Sequence, residues 1–152
     1  AFMIGIQVII IEQWTINKNF ISKPVKRLAF LGIIILIIQI IIGTQVRQHV
    51  DEWLISNSRD TFNLIQVSDF ISHRTVALAL VIYVFLLTFI NYFKKVHSKV
   101  VYAIFTILIF EAITGKILAD YCLPILLQPF HLLFALLLFG LLVRLVVNSK
   151  KI

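Results

Sequence analysis

A chain of 152 residues that is 61% hydrophobic and only 14% charged cannot hide its apolar side chains inside a soluble domain of that size, so its solvent must be lipid. The net charge of +7 does not indicate nucleic-acid binding, because the basic residues fall in short clusters between apolar runs rather than in one patch. The single cysteine, Cys122, excludes an internal disulfide and a thiolate cluster, and we expect it to be an inert loop thiol.

The chain begins with an apolar segment, residues 2–11, that is too short to cross a bilayer by itself. Such a segment is typical of the end of a preceding helix or of a helix lying in the membrane interface. We therefore expect residues 1–24 to form the tail of a preceding helix and a cytoplasmic linker.

Four apolar runs follow, and each is long enough for a transmembrane helix, which needs about 20 residues. They cover about 25–46, 70–93, 100–119 and 125–147. We expect an all-α fold, a transmembrane four-helix bundle over 25–147, with a cytoplasmic tail at 148–152.

The positive residues predict the orientation of this bundle. They cluster before the first run, between the second and third runs, and after the fourth, as Lys18, Lys23, Lys26, Arg27, Lys94, Lys95, Lys99, Lys150 and Lys151. These three places lie on one side of an up-and-down bundle, and the positive-inside rule makes that side cytoplasmic. We therefore expect a bacterial plasma-membrane protein whose loops 47–69 and 120–124 lie outside and whose C-terminus lies in the cytoplasm.

Two histidines occupy matching positions near the starts of the second and fourth runs. His73 follows Ser68 and Asp69, either of which can cap a helix, and His131 follows Pro129, which the first turn of a helix tolerates. An imidazole in hydrocarbon is costly, and a pair at one depth can clamp a haem iron from both faces, so we predict that both histidines are haem ligands. The alternative is two unrelated polar positions, one bonded to a backbone carbonyl and one at the interface. Zinc or copper would need three or four nitrogen or sulfur ligands.

A weak internal repeat favours the pairing of the histidines. Aligning them places HRTVALALVIYVFLL over HLLFALLLFGLLVRL, and aligning Gly43 with Gly115 places Gln39 over Glu111. Two related hairpins would form a bundle with a pseudo-two-fold axis along the membrane normal and with the histidines facing each other across the core. We expect the two glycines to allow close helix packing rather than to touch a ligand.

Two arginines near the outer end have two interpretations each. Arg74 is a candidate partner for the propionates of a haem, because its guanidinium fork suits carboxylates, or an interfacial arginine that snorkels or pairs with Asp69. Arg47 has the same two interpretations. We expect His49 and His97 to lie in solvated loops.

Glu111 is the one acid well inside an apolar run, where a carboxylate often marks a function. It is a candidate for tuning a haem or carrying protons. The structural alternative, which we favour slightly, is a hydrogen bond to Gln39 or Thr114 or an ion pair with Lys116.

Three segments of the chain occur together in the order found in one known family. They are LIIQIIIGTQVRQHVD, ISHR at the head of the next run, and ITGKILADYCLPILLQPFHLLFALLLFG. With the residues between them they cover about 28–145, and they resemble the heme A synthase family, its C-terminal half in particular.

The resemblance implies an eight-helix membrane protein made of two related four-helix halves, each with a histidine pair able to hold haem. It implies that the N-terminal half receives heme O and that the C-terminal half holds a heme B cofactor. The implied enzyme is an oxidoreductase that oxidises a ring methyl to a formyl group, with oxygen from water, and so makes heme A for cytochrome oxidase. For this chain it implies heme B iron held by His73 and His131, and as partners the N-terminal half or other protomers, heme O synthase and cytochrome oxidase assembly factors.

One position departs from the family's pattern. The family's catalytic glutamate lies three residues before the first histidine of the substrate half, where this chain has Phe70. Asp69 is one residue away, which turns it about 100° around a helix. We therefore expect no catalytic residue in this chain, which would be the cofactor half of a longer enzyme and inactive alone. The alternatives are a transmembrane electron carrier of the cytochrome b type, which needs ligands at two depths, and a structural or transport subunit without haem.

Overall fold

The computed structural model describes residues 23–55, 57, 68–93, 99–121 and 123–147. Four helices make up nearly all of this part: α1 (Lys23–Leu54), α2 (Ser68–Phe93), α3 (Lys99–Asp120) and α4 (Gln128–Val147). Each is long and apolar enough to cross a membrane, and the described residues contain no strand. The predicted all-α transmembrane bundle is therefore confirmed, and the chain is an integral membrane protein.

The helices that carry the histidines begin where the local sequence predicts. Helix α2 starts at Ser68 and has Asp69 in its first turn, where a carboxylate faces the positive end of the helix dipole. Helix α4 starts at Gln128, so Pro129 falls in its first turn, where the missing N–H is not needed. The turn before α4 contains Leu123, which has a φ of 59° and donates its N–H to the carbonyl of Leu118 at 2.9 Å.

Helix α1 is longer than its apolar run, which was expected to end near residue 46 with a loop from 47 onward. The helix continues to Leu54 because side chains four residues apart pair along its exposed surface. Arg47 contacts Asp51, and Gln48 donates to Glu52 at 2.9 Å. Hydropathy marks the thickness of the bilayer, whereas these polar pairs extend the helix beyond it.

This extension corrects the prediction that His49 lies in a solvated loop. His49 is on α1, half-exposed, and its Nδ1 lies 3.0 Å from a carboxylate oxygen of Asp69 on α2. The same nitrogen lies 3.1 Å from the carbonyl of Gln45. The pair joins the end of α1 to the start of α2.

The four helices contact one another in a ring, α1 to α2, α2 to α3, α3 to α4 and α4 back to α1, while the diagonal pairs barely touch. The core between them is aliphatic and draws on every helix, with Leu36, Leu87, Ile104 and Leu138 almost completely buried. Large apolar side chains also cover the outside of the bundle, as expected where the solvent is lipid.

A second, smaller apolar cluster closes the end of the bundle at which α2 and α4 begin. It is built around the buried Val46 and Val50, with Leu54, Phe70, Ala119 and Leu123 packed against them. We call it the end cluster. The predicted N-terminal segment 1–22, His97, Cys122 and the tail 148–152 lie outside the described residues, and α1 takes up residues 23 and 24 of the predicted linker.

Candidate functional site

His73 of α2 packs against Gly43 of α1. A Cβ atom at Gly43 would lie 3.0 Å from Cε1 and 3.4 Å from Nδ1 of the imidazole. A side chain there would have to push the ring away, so glycine is what allows the ring to approach the backbone of α1.

His131 of α4 packs in the same way against Gly115 of α3. A Cβ atom at Gly115 would lie 3.1 Å from Cε1 and 3.7 Å from Nδ1 of that ring. The close packing predicted for the two glycines is therefore present, and an imidazole is the group that uses it in each hairpin. We call these two contacts the glycine seats.

A polar residue one turn before each glycine also contacts the histidine. Gln39 Nε2 lies 3.1 Å from His73 Nε2, and Glu111 Oε2 lies 3.3 Å from His131 Nδ1. The alignment that paired Gln39 with Glu111 thus matches two equivalent places in the structure. The repeat is three-dimensional, with α1 and α2 corresponding to α3 and α4.

Thr114 gives His131 a second polar contact. Its hydroxyl lies 3.1 Å from His131 Nδ1 and is also within hydrogen-bond distance of the carbonyls of Phe110, at 2.9 Å, and Glu111, at 3.0 Å. The hydroxyl proton can go to a carbonyl, so the oxygen is free to accept a proton from the imidazole. Nδ1 of His131 therefore faces two acceptors, which favours a proton on Nδ1 and an unshared electron pair on Nε2.

The structural partners proposed for the Glu111 side chain are not the ones observed. Lys116 instead pairs with Asp120 at 2.8 Å, and the Thr114 hydroxyl meets the backbone carbonyl of Glu111 rather than its carboxylate. In the described part of the chain, the contact of this carboxylate is with His131. It is a close approach without hydrogen-bond alignment, since Oε2 is buried without a hydrogen-bond partner there.

Two more buried polar atoms lie in the first hairpin. Neither His73 Nδ1 nor Gln39 Oε1 makes a hydrogen bond within the described residues. Buried polar atoms without partners are uncommon, and they mark places where a bound group or water is accommodated. In the first hairpin these atoms lie at the contact between His73 and α1.

The two imidazoles lie at one end of the bundle although their helices are diagonal neighbours. Each lies near the start of its helix, at the end closed by the end cluster. Among the described residues no group of three or more His, Cys, Asp or Glu side chains could hold a bare metal ion. A pair of imidazoles suits a metal whose other ligands come from a macrocycle, as in haem.

The two arginines considered as propionate partners differ in their contacts. Arg47 binds Asp51 with two nitrogens, at 2.6 and 2.9 Å, and donates to Gln128 Oε1 of α4 at 2.5 Å. Arg74 is exposed and makes neither a hydrogen bond nor an ion pair within the described residues. The alternative prediction, an ion pair of either arginine with Asp69, is wrong. Asp69 contacts His49 instead.

Sequence reasoning missed Thr114 as a contact of His131 and did not assign Gln39 to His73. The available signal was position: Thr114 directly precedes a seat glycine, and Gln39 lies one turn before the other.

A family model described as cytochrome oxidase assembly protein, COX15-CtaA, matches residues 2–143 of the chain. Comparison with curated proteins and with solved structures finds no match.

Proposed function

This chain belongs to the COX15-CtaA family of cytochrome oxidase assembly proteins, the heme A synthase family, and on that premise we propose that it is the cofactor half of a heme A synthase. The observation that carries the proposal is the repeated glycine seat, which presents one imidazole from each hairpin at the same end of the bundle. An ordinary apolar packing site has no use for two such imidazoles.

In this proposal His73 and His131 would hold the iron of heme B through their imidazoles. The haem, when bound, would supply one-electron redox chemistry. Ligation by two imidazoles would suit the site to electron transfer. The glycine seats set how close each ring stands to the neighbouring helix.

The oxidation of the heme O methyl group belongs to another part of the enzyme. Phe70 stands one turn before His73 and packs into the end cluster, and the matching residue before His131 is Gln128. Neither hairpin therefore places a carboxylate there, and a positioned carboxylate is what handles protons in such a reaction. We propose that the N-terminal half, attached or on another protomer, supplies the reacting site.

The test of the proposal is the haem content of the purified full chain. Pyridine hemochrome analysis should identify heme B, and the visible spectrum should be that of a low-spin, six-coordinate iron. A purified protein without a Soret band would exclude the proposal in favour of a structural or transport subunit. Spectra that require a second haem would favour the electron carrier of the cytochrome b type.

We also propose that the end of the bundle bearing the histidines lies outside the cytoplasm, on the basis of the lysine and arginine clusters at the other end. A membrane-impermeant thiol reagent should label Cys122 in intact cells. As a matched control, a Cys122→Ser, Ser149→Cys variant should react only after the cytoplasmic face is opened. The reverse pattern would invert the orientation.

A further inference from the structure

We infer that Glu111 is a positioning residue for His131 that makes the two axial ligands of the haem unequal and lowers its midpoint potential. The inference rests on the proposed function, since it assumes that His73 and His131 bind the haem. Neither helix packing nor binding of the iron requires a carboxylate at position 111.

The position of the carboxylate is the first argument. Glu111 Oε2 lies 3.3 Å from His131 Nδ1, and the Thr114 hydroxyl lies 3.1 Å from the same atom. The Glu111 side chain is only 16% exposed, so water does not compete strongly for it. When Nε2 of a histidine binds a metal, its Nδ1 carries the proton, and a carboxylate next to Nδ1 is the usual partner for that proton.

The missing partners of the carboxylate are the second argument. Lys116, the basic residue next to it along α3, is engaged by Asp120 at 2.8 Å. Oε2 is buried and makes no aligned hydrogen bond among the described residues. A buried carboxylate oxygen so placed needs a donor, and a small turn of the His131 ring supplies one.

The first hairpin provides an internal comparison. The equivalent of Glu111 is Gln39, a neutral amide whose nitrogen lies 3.1 Å from His73 Nε2. A carboxylate that accepts the Nδ1 proton increases the electron donation of an imidazole to iron and favours the ferric state. Gln39 contacts Nε2 instead, and His73 Nδ1 has no hydrogen-bond partner among the described residues, so the first hairpin offers no such acceptor. His131 should therefore be the stronger donor and His73 the weaker one.

The experiment measures the midpoint potential of the purified full chain loaded with heme B. Glu111→Gln keeps the shape of the side chain and should raise the ferrous preference about ten- to a hundredfold, the usual range for such partners, which is a rise of about 60 to 120 mV for one electron.

Two further variants separate a positioning role from a merely structural one. Glu52→Gln removes an exposed acid of α1 whose partner is Gln48, and it should leave the potential within a small fraction of the Glu111→Gln shift. Glu111→Asp retains the charge and should recover part of the wild-type potential.

The outcomes are distinct. A wild-type protein that binds no low-spin haem overturns the proposed function. A wild-type protein that binds low-spin haem, with a Glu111→Gln variant of unchanged spectrum and unchanged potential, overturns the role of Glu111 alone. Loss of low-spin haem in both Glu111→Gln and Glu111→Asp likewise contradicts it, because the side chain would then act on folding only.

Discussion

The two hairpins of the bundle share a backbone design and differ in the polar atoms they offer. Each packs an imidazole against a glycine of the preceding helix, where a Cβ atom would lie 3.0 Å from Cε1 in the first hairpin and 3.1 Å in the second. In the second, Nδ1 of His131 faces two oxygens and its Nε2 makes no hydrogen bond within the described residues. In the first, Nε2 of His73 is engaged by Gln39 and its Nδ1 has no hydrogen bond there.

The difference shows which property the repeat preserves. The hairpins share a steric feature, which is an imidazole ring packed closely against a glycine. Any side chain larger than hydrogen at that position would displace the ring. The hairpins differ electrostatically at one position, where the first has the amide of Gln39 and the second has the carboxylate of Glu111. Nε2 of His131 is thus without a hydrogen bond among the described residues, whereas Nε2 of His73 is held by the Gln39 amide.

We expect the largest effect on catalysis, because both hairpins lack the family's catalytic carboxylate. Neither has a carboxylate three residues before its histidine, so the chain expressed alone with heme O should yield no heme A, measured by pigment extraction and chromatography. Co-expression with an N-terminal half of the same family should produce heme A. Heme A made by the chain alone would mean that Glu111 or Asp69 carries the reaction.

Removal of either ligand should have the next largest effect. His73→Ala and His131→Ala should each convert the haem to a high-spin spectrum or abolish its retention, because six-coordination needs both imidazoles. His49→Ala, which changes a half-exposed histidine of α1, should leave the spectrum unaltered. Retention of the low-spin spectrum in both ligand variants would refute the assignment.

The glycine seats should contribute less, and equally. Gly43→Ala and Gly115→Ala each crowd an imidazole ring, and overpacking of this kind costs about 1 to 3 kcal/mol. Because about 1.4 kcal/mol corresponds to a tenfold change in affinity, we expect each variant to bind haem roughly tenfold more weakly. Haem titration of the apoprotein measures the change.

The control for the seats is Gly32→Ala on α1. It crowds Tyr83 instead, whose hydroxyl donates to the carbonyl of Leu28. We expect this variant to lower thermal stability and to leave haem affinity unchanged. A much larger loss of affinity from one seat than from the other would break the equivalence of the hairpins.

The smallest effect is expected from the arginines of the outer end. Arg74→Gln should weaken haem binding about fivefold, since an exposed charge pair contributes at most about 1 kcal/mol. Arg47→Gln should have less effect on affinity, because its guanidinium is already held by Asp51 and Gln128. Equal effects from the two would show that neither arginine contacts a propionate.

Much of the architecture follows from local properties of the sequence. Apolar runs of bilayer length predict four membrane helices because each helix satisfies its own backbone hydrogen bonds in lipid. Ser68 and Pro129 mark helix starts through capping and through the lost N–H, which are effects within a single turn. The histidine pair and the repeat could also be recognised, since both are patterns of residue type and spacing.

The contacts of Glu111 and the true end of α1 could not be recognised in this way. A helix that is apolar on all sides has no polar face to show which residues point inward, so its rotation about its own axis depends on how neighbouring helices pack. That packing turns Glu111 toward His131 and away from Lys116, and brings Gln39 to His73. Composition and residue spacing thus determined a membrane bundle with a histidine near the start of its second and of its fourth helix, whereas tertiary packing decided which polar atom each imidazole meets, because only packing sets helix rotation.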